Sequence, residues 1–285
     1  TFGGLTNRIL ENLILYIIYS EYIDMKHSVL MITKNGEEVI EEALESVAGL
    51  WDELLVSDDG STDRTREIVT QYGGKVFSSG NRTLGERKQW LIAKAQGDWI
   101  LVLDADERVS RELYQEILQI RDFDKITLKR YFVKKLKQAK RGKRETIAYA
   151  IPYQNYVFGK PVYWGGERYS KVRLFRKGFG SVETKPLHEE IRVRGEIGEL
   201  TNKIHHHSYR SPAQLFGKFT NYAWVESREK KRQGETLSFA KLFLYGPHMF
   251  WARYIKEKGY KDGWRGLILA FAFAYMEGLT YWLLL

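Results

Sequence analysis

The chain is predicted to be an α/β protein: a mostly parallel sheet with helices on both faces, followed by a C-terminal helical region. Strand-like apolar runs alternate with helix-spaced segments from His27 to Ile120, the pattern of a parallel sheet covered on both sides. Two of those runs end in carboxylate clusters, Asp58-Asp59-Gly60-Ser61-Thr62-Asp63 and Asp104-Ala105-Asp106-Glu107. In such folds ligands bind at the carboxyl ends of the strands, so both clusters belong to one site. From Ser211 onward the chain turns helical.

The elements follow in order. Val29-Leu30-Met31-Ile32, within His27 to Thr33, is the first strand, and Glu37 to Ala48 a helix with Val39, Ile40, Ala43, Leu44 and Val47 at helical spacing. Glu53 to Ser57 is the second strand. Thr62 to Tyr72 is a helix that Ser61 or Thr62 can cap. Gly73-Gly74 turns into a short strand, Lys75 to Ser78. Leu84 to Ala95 is a helix ended by Gly97, Trp99 to Leu103 the fourth strand, and Ser110 to Ile120 a serine-capped helix. Short strands between loops are expected at Ile126-Thr127-Leu128, Tyr131-Phe132-Val133, Val172-Arg173-Leu174-Phe175 and Glu190 to Val193. Ala213 to Lys231, Phe239 to Lys258 and Gly263 to the end read as helices, with a boundary near Thr201–Pro212. The chain divides into an apolar extension of uncertain role (1–24), the α/β domain (25–210) and the helical region (211–285).

Hydrophobic residues make up 44%, enough for a full core, which excludes global disorder. Lys and Arg outnumber Asp and Glu by 45 − 36 = +9. That balance suits phosphorylated substrates or anionic lipid; no nucleic-acid recognition motif is present. The absence of cysteine excludes disulfides and cysteine metal sites and fits a reducing compartment. Residues 1–24 are too short and too acidic for a secretory signal, and Met25-Lys26-His27 reads as a natural start. The run Trp264 to Leu285 is long enough to cross a bilayer. It is broken by Arg265 and Glu277, and Glu277 with the aromatics Phe271, Phe273, Tyr275, Tyr281 and Trp282 fits a helix lying in the membrane interface better, a buried terminal helix being the alternative. The basic run Lys134 to Arg144 suits a solvated loop and an anionic contact equally.

Asp104 and Asp106 are costly to hold together at a buried strand end without a positive partner. A divalent cation carrying a phosphate-bearing ligand meets that need. Asp58 and Asp59 can accept hydrogen bonds from a nucleobase or ribose, or satisfy a capped turn. In His205-His206-His207 neighbouring rings face opposite ways on a strand, so all three cannot bind one ion. Tyr163-Trp164-Gly165-Gly166 offers rings that stack on a sugar or pack in the interior.

Thr33-Lys34-Asn35, Asp58-Asp59-Gly60-Ser61-Thr62-Asp63, Gly97-Asp98-Trp99-Ile100-Leu101 and Leu103-Asp104-Ala105-Asp106-Glu107, in that order, resemble the family 2 glycosyltransferases, which have the GT-A fold. Leu187-His188-Glu189 and His206-His207-Ser208-Tyr209-Arg210-Ser211 resemble the lipopolysaccharide core glucosyltransferase branch. The resemblance covers residues 27–230 and, more loosely, the C-terminal helices. It implies that 25–210 is a GT-A catalytic domain in which Thr33, Asp58 and Asp59 hold the nucleotide of a sugar donor, a UDP-sugar. Asp104 would lie near the ribose or metal, Asp106 would coordinate Mg2+ or Mn2+ on the diphosphate, and His206 would be a further metal ligand or diphosphate contact. Glu189 would be the catalytic base of an inverting transfer, although Glu190 is equally placed on sequence alone. Lys88-Gln89 stand where family members often carry Arg-Asn; Lys88 would offer a point charge to a phosphate, with Arg87 an adjacent candidate, unless both occupy an exposed helix face. No Gln-x-x-Arg-Trp motif occurs, which favours single addition over processive synthesis. The implied activity is transfer to a lipid-linked saccharide such as lipopolysaccharide core, against an anionic membrane surface at the cytoplasmic face of a bacterial inner membrane, by a peripheral or monotopic protein. A polyprenyl-phosphate acceptor and a non-catalytic nucleotide-sugar- or membrane-binding protein are the alternatives.

Overall fold

Four strands with scarcely an exposed residue form the centre of the molecule: β1 (His27–Thr33), β2 (Glu53–Asp58), β3 (Lys75–Ser78, the more open edge) and β4 (Trp99–Asp104). The computed structural model describes residues 26–126, 146–183, 189–235 and 239–284. The four strands are parallel, in the order β3-β2-β1-β4. Successive residues of β1 serve opposite faces. Val29 and Met31 join Ile40 and Leu44 of α1 (Glu37–Ser46), Ile68 of α2 (Thr65–Gln71) and Leu113 of α4 (Arg111–Ile126). Leu30 and Ile32 join Leu91 and Ile92 of α3 (Leu84–Lys94) on the other face. Each such fully buried aliphatic chain contributes about 1.5–3 kcal/mol. Gly97 is required by this packing: a Cβ there would lie 2.5 Å from Ser28 Oγ.

Beyond β4 the sheet becomes mixed, which corrects the expectation of a mostly parallel one. After β5 (Glu107–Val109) come β6 (Thr146–Val157), β7 (Lys160–Pro161), β8 (Ser170–Arg176), β9 (Gly180–Val182), β10 (Ile191–Val193), β11 (Glu196–Glu199) and β12 (Ile204–Tyr209). The ten-stranded sheet continues β4-β8-β6-β12-β5, with β7 and β11 also on β6. β8 is antiparallel to β4 and β6, and β12 antiparallel to β5. β11 and β12 run parallel to β6. For β6 and β8 the reason is connectivity, since only β7 lies between them and antiparallel neighbours need no crossover helix. β6 escapes the sequence reading because Pro152, Gln154 and Asn155 interrupt its apolar pattern. Ile126 belongs to α4 rather than to a strand, whereas residues 1–24, 127–145 (with the basic run) and His188 lie outside the described residues.

The second helix starts at Thr65, later than expected, because Ser61 serves the preceding turn: its N–H and hydroxyl both donate to Asp58. β12 ends at Tyr209, and Ser211 Oγ accepts from Gln214 N–H to cap α5 (Pro212–Arg232). Next come α6 (Phe239–Trp251), a π-helical turn (Ala252–Lys256), a 3-10 turn (Gly259–Asp262) and α7 (Gly263–Trp282), so the expected helix to Lys258 opens at Trp251. Val157 and Val162 of the sheet region pack with Leu215, Phe219, Leu269 and Ala272, joining the helical region to the sheet. Among the described residues no helix is long and apolar enough to cross a membrane. The helices leave Phe243 70% and Phe271 55% exposed.

Candidate active site

Register brings the first site residues together. Thr33 pairs with Asp58, and Ile32 with Asp104, so β1, β2 and β4 deliver Thr33, Asp58 and Asp104 to one edge of the sheet. Asp58 is buried and serves its own turn, which Gly60 closes at φ +72. Asp59 faces outward and is held by Arg87 Nη2 at 2.7 Å, Ser79 Oγ at 2.9 Å and Lys34 Nζ at 3.3 Å. Burial would raise its carboxyl, but these donors outweigh it and hold it below the ordinary value. Thr33 Oγ1 is buried with no hydrogen-bond partner among the described residues, an orphan of the kind a ligand satisfies.

Asp104 sits between two cations. Lys88 Nζ lies 3.0 Å from Oδ1 and Arg173 Nη2 2.9 Å from Oδ2. Burial pushes its carboxyl up, yet Lys88 and Arg173 hold it far below the usual carboxylate range. Glu107, 1% exposed, is the second partner of Arg173 at 2.7 Å; it also accepts from Tyr153 Oη at 2.9 Å and from the Asp104 N–H. Burial leaves its carboxyl raised despite the guanidinium. Arg173 Nε donates to Tyr153 Oη at 2.5 Å, completing a closed polar cluster. Lys88 also reaches Glu189 Oε2 at 2.9 Å. Glu189 is turned inward and Glu190 is exposed, as strand-like alternation requires of neighbours. The exposed-face alternative for Arg87 and Lys88 is therefore overturned: both are turned inward onto carboxylates. The Lys88 charge is also already shared by Asp104 and Glu189, which leaves it ill-suited as a lone phosphate contact. Gln89 Oε1 accepts from Val182 N–H at 2.8 Å.

Asp106 faces a different partner. β12 pairs with β5 so that His206 stands opposite Glu107, and His206 Nε2 lies 3.6 Å from Asp106 Oδ1. Lys218 Nζ of α5 approaches Asp106 Oδ2 at 3.3 Å. Burial opposes ionisation of both groups; their mutual attraction prevails, lowering Asp106 and raising His206. His205 and His207 turn to the opposite face, against Tyr156, so the triplet presents a single ring to the acidic motif. Among the described residues no group of three or more acidic or histidine side chains could hold a metal ion. Of Tyr163-Trp164, the Trp164 ring is covered by Lys261 and Arg168 at 4.3 and 4.6 Å, whereas Tyr163 is exposed; Asp262 accepts from both N–H groups.

Arg173, Glu107, Tyr153 and Lys218 were missed from sequence as site residues. The available signal was Arg173 inside the apolar run Val172 to Phe175, since an arginine in a buried strand needs a carboxylate partner. A cavity of 260 Å3 opens beside Glu189, lined also by Lys88, Lys171 and Arg173.

The model of Glycosyl transferase family 2 matches residues 28–179. An uncharacterized glycosyltransferase of Rickettsia bellii (strain RML369-C) is 26% identical over 91% of this chain and 86% of its own length. A lipopolysaccharide core biosynthesis glycosyltransferase of Rhizobium meliloti (strain 1021) is 24% identical over 89% of each chain. Among solved structures, glucosyl-3-phosphoglycerate synthase from Mycobacterium tuberculosis in complex with Mn2+, UDP and glucosyl-3-phosphoglycerate is 28% identical. That match covers 33% of this chain and 38% of the synthase, with a TM-score of 0.27.

Proposed function

The chain belongs to glycosyl transferase family 2 and is a glycosyltransferase, and on that premise we propose that it moves a sugar, with inversion, from a UDP-sugar to a lipid-linked saccharide such as lipopolysaccharide core. The carrying observation is the meeting of Asp106 and His206 beside the neutralised Asp104, at the edge where β1, β2 and β4 end.

The Asp106 carboxylate oxygen suits Mg2+ or Mn2+, and the His206 imidazole nitrogen 3.6 Å from it favours Mn2+ of the two. Asp106 and His206 would hold the ion, and diphosphate oxygens would complete its shell. The chemistry such an ion would supply there is neutralisation of the charge on the leaving nucleoside diphosphate. Asp104, already satisfied by Lys88 and Arg173, is the fixed wall of the nucleotide site rather than a strong ligand. Thr33 and Asp59 face the nucleoside, and Asp58 shapes the turn that carries Asp59.

Glu189 accepts the acceptor hydroxyl's proton as that oxygen attacks the anomeric carbon, and Lys88 keeps its carboxylate oriented. Positioning both substrates between Glu189 and the diphosphate site supplies further acceleration. The lipid-linked acceptor is supported by the Rhizobium relative's name and by the exposed aromatics of α6 and α7. With the +9 charge, these suit a peripheral or monotopic seat on an anionic membrane surface, at the cytoplasmic face of a bacterial inner membrane.

A second reading has one observation in its favour. Lys171 lines the same cavity as Glu189, and a cation there suits an acceptor that is already anionic, such as a polyprenyl phosphate. The deciding experiment is a screen of nucleotide sugars with and without Mn2+, offering bacterial lipid extract and polyprenyl phosphate as acceptors. UDP-sugar-dependent labelling of the saccharide lipid supports the first reading. Labelling of polyprenyl phosphate alone replaces it with the second, and UDP binding without any turnover defeats both.

A further inference from the structure

A chain of buried polar groups runs from the C-terminal helical region to His206. Arg253, in the π-helical turn after α6, donates from Nη1 to Glu167 Oε1 at 2.8 Å and to the Gly165 carbonyl at 2.6 Å. Glu167, 9% exposed, accepts at Oε2 from Asn155 Nδ2 at 2.7 Å. Asn155, 2% exposed, turns its Oδ1 to His206 Nδ1 at 3.0 Å and accepts there from Tyr169 Oη at 3.2 Å. Ser208 Oγ stands 2.9 Å from the same ring nitrogen.

The orientation of the Asn155 amide follows from its partners. A carboxylate accepts only, so the amide must give Glu167 its NH2 and keep its oxygen for the ring. An oxygen that accepts is repelled by a bare ring nitrogen, so Asn155 favours a proton on His206 Nδ1, and the Ser208 hydroxyl can then turn its own proton to the His206 carbonyl. The competing proton position is weak, because Asp106 Oδ1 lies 3.6 Å from Nε2, beyond hydrogen-bond distance.

We propose that Arg253 and Glu167, acting through Asn155, are positioning residues that lock His206 in the Nδ1–H tautomer and so aim the Nε2 lone pair at the Asp106 side of the site. A ligating histidine needs such a partner on its other nitrogen. The C-terminal region thereby helps to position the site. Arg253 is additionally set over Phe273 of α7, 3.2 Å from the ring centre, and the Glu257 carbonyl accepts from Gly165 N–H at 2.9 Å. The helices and the 163–167 segment therefore hold one another.

The inference rests on His206 being a metal ligand, and the experiment separates the two. Uniformly 15N-labelled protein, free of metal and at alkaline pH, reports the tautomer of His206 from its ring nitrogen shifts, assigned by loss of the signals in His206→Ala. The wild type should show Nδ1–H. In Glu167→Gln, Arg253 draws the new amide's oxygen, its NH2 turns toward Asn155, and Asn155 must flip. His206 should then become Nε2–H, and Mn2+ affinity in the presence of UDP should fall 10- to 100-fold. Wild-type Nε2–H, or an unchanged tautomer in a folded Glu167→Gln, overturns the proposal; the wild-type spectrum alone tests it where the variant does not fold. Unchanged Mn2+ affinity in His206→Ala instead removes the ligand role on which the proposal rests.

Discussion

Lys88 Nζ bridges Glu189 Oε2 at 2.9 Å and Asp104 Oδ1 at 3.0 Å. One buried ammonium thus links the candidate base to the first carboxylate of the acidic motif. Removing it takes a shared counter-ion from Glu189 and Asp104, and breaking a comparable buried pair costs about 3–5 kcal/mol. Lys88→Met should therefore lower the melting temperature markedly and reduce transfer. Asp104 keeps Arg173 in that variant, so its fold should survive in cold buffer; a melting temperature equal to wild type would show that the bridge contributes nothing.

Glu189→Gln discriminates between acceptors. If the acceptor is a sugar hydroxyl, loss of the base should reduce kcat by roughly 10²–10⁴ while the Kd for UDP stays the same. Retained turnover would point to an acceptor that enters already ionised.

His207 gives the protein an acid-sensitive element. Its Nε2 lies 2.7 Å from Arg108 Nη1. Burial, then the Arg108 charge, push its imidazole down to about 4 from 6.5. The unfolded chain takes up this proton first, so the stability is fully present above pH 6.5, erodes as pH falls toward 4, and is absent below. In His207→Phe, denaturant midpoints measured across that window should fall less steeply than in wild type; parallel curves would contradict the assignment.

The aromatic faces of α6 and α7 yield a binding prediction. Co-sedimentation with vesicles containing anionic lipid should retain the wild-type protein and fall on raising salt. The double substitution Phe243→Ser, Phe271→Ser should reduce retention without lowering the melting temperature, since both rings are more than half exposed. Equal retention of variant and wild type would remove the membrane from the account.

Much of the sheet edge was legible because its signal is local. Asp58-Asp59 and Asp104-Ala105-Asp106 follow directly on apolar strands, and parallel strands ending together bring such termini to one edge. The alternation of side chains also anticipated that the three histidines could not share one ion. The partners were not legible, because they come from distant chain: Arg173 lies 69 residues from Asp104, and Lys218 lies 112 from Asp106. Nothing in the local pattern of β6 announced that Tyr153 and Asn155 would stand under the acidic motif. The mixed half of the sheet was misread for the same reason, since antiparallel pairing is decided by long-range contacts that no short window contains.

Asp106 carries the central claim, and its side chain is 27% exposed, so replacing it should spare the fold. The most direct measurement is UDP-sugar turnover by Asp106→Ala beside wild type, with Mn2+ titrated and folding checked by thermal melting. The account predicts a wild-type melting profile with metal-dependent turnover abolished. Undiminished turnover in that variant would contradict it.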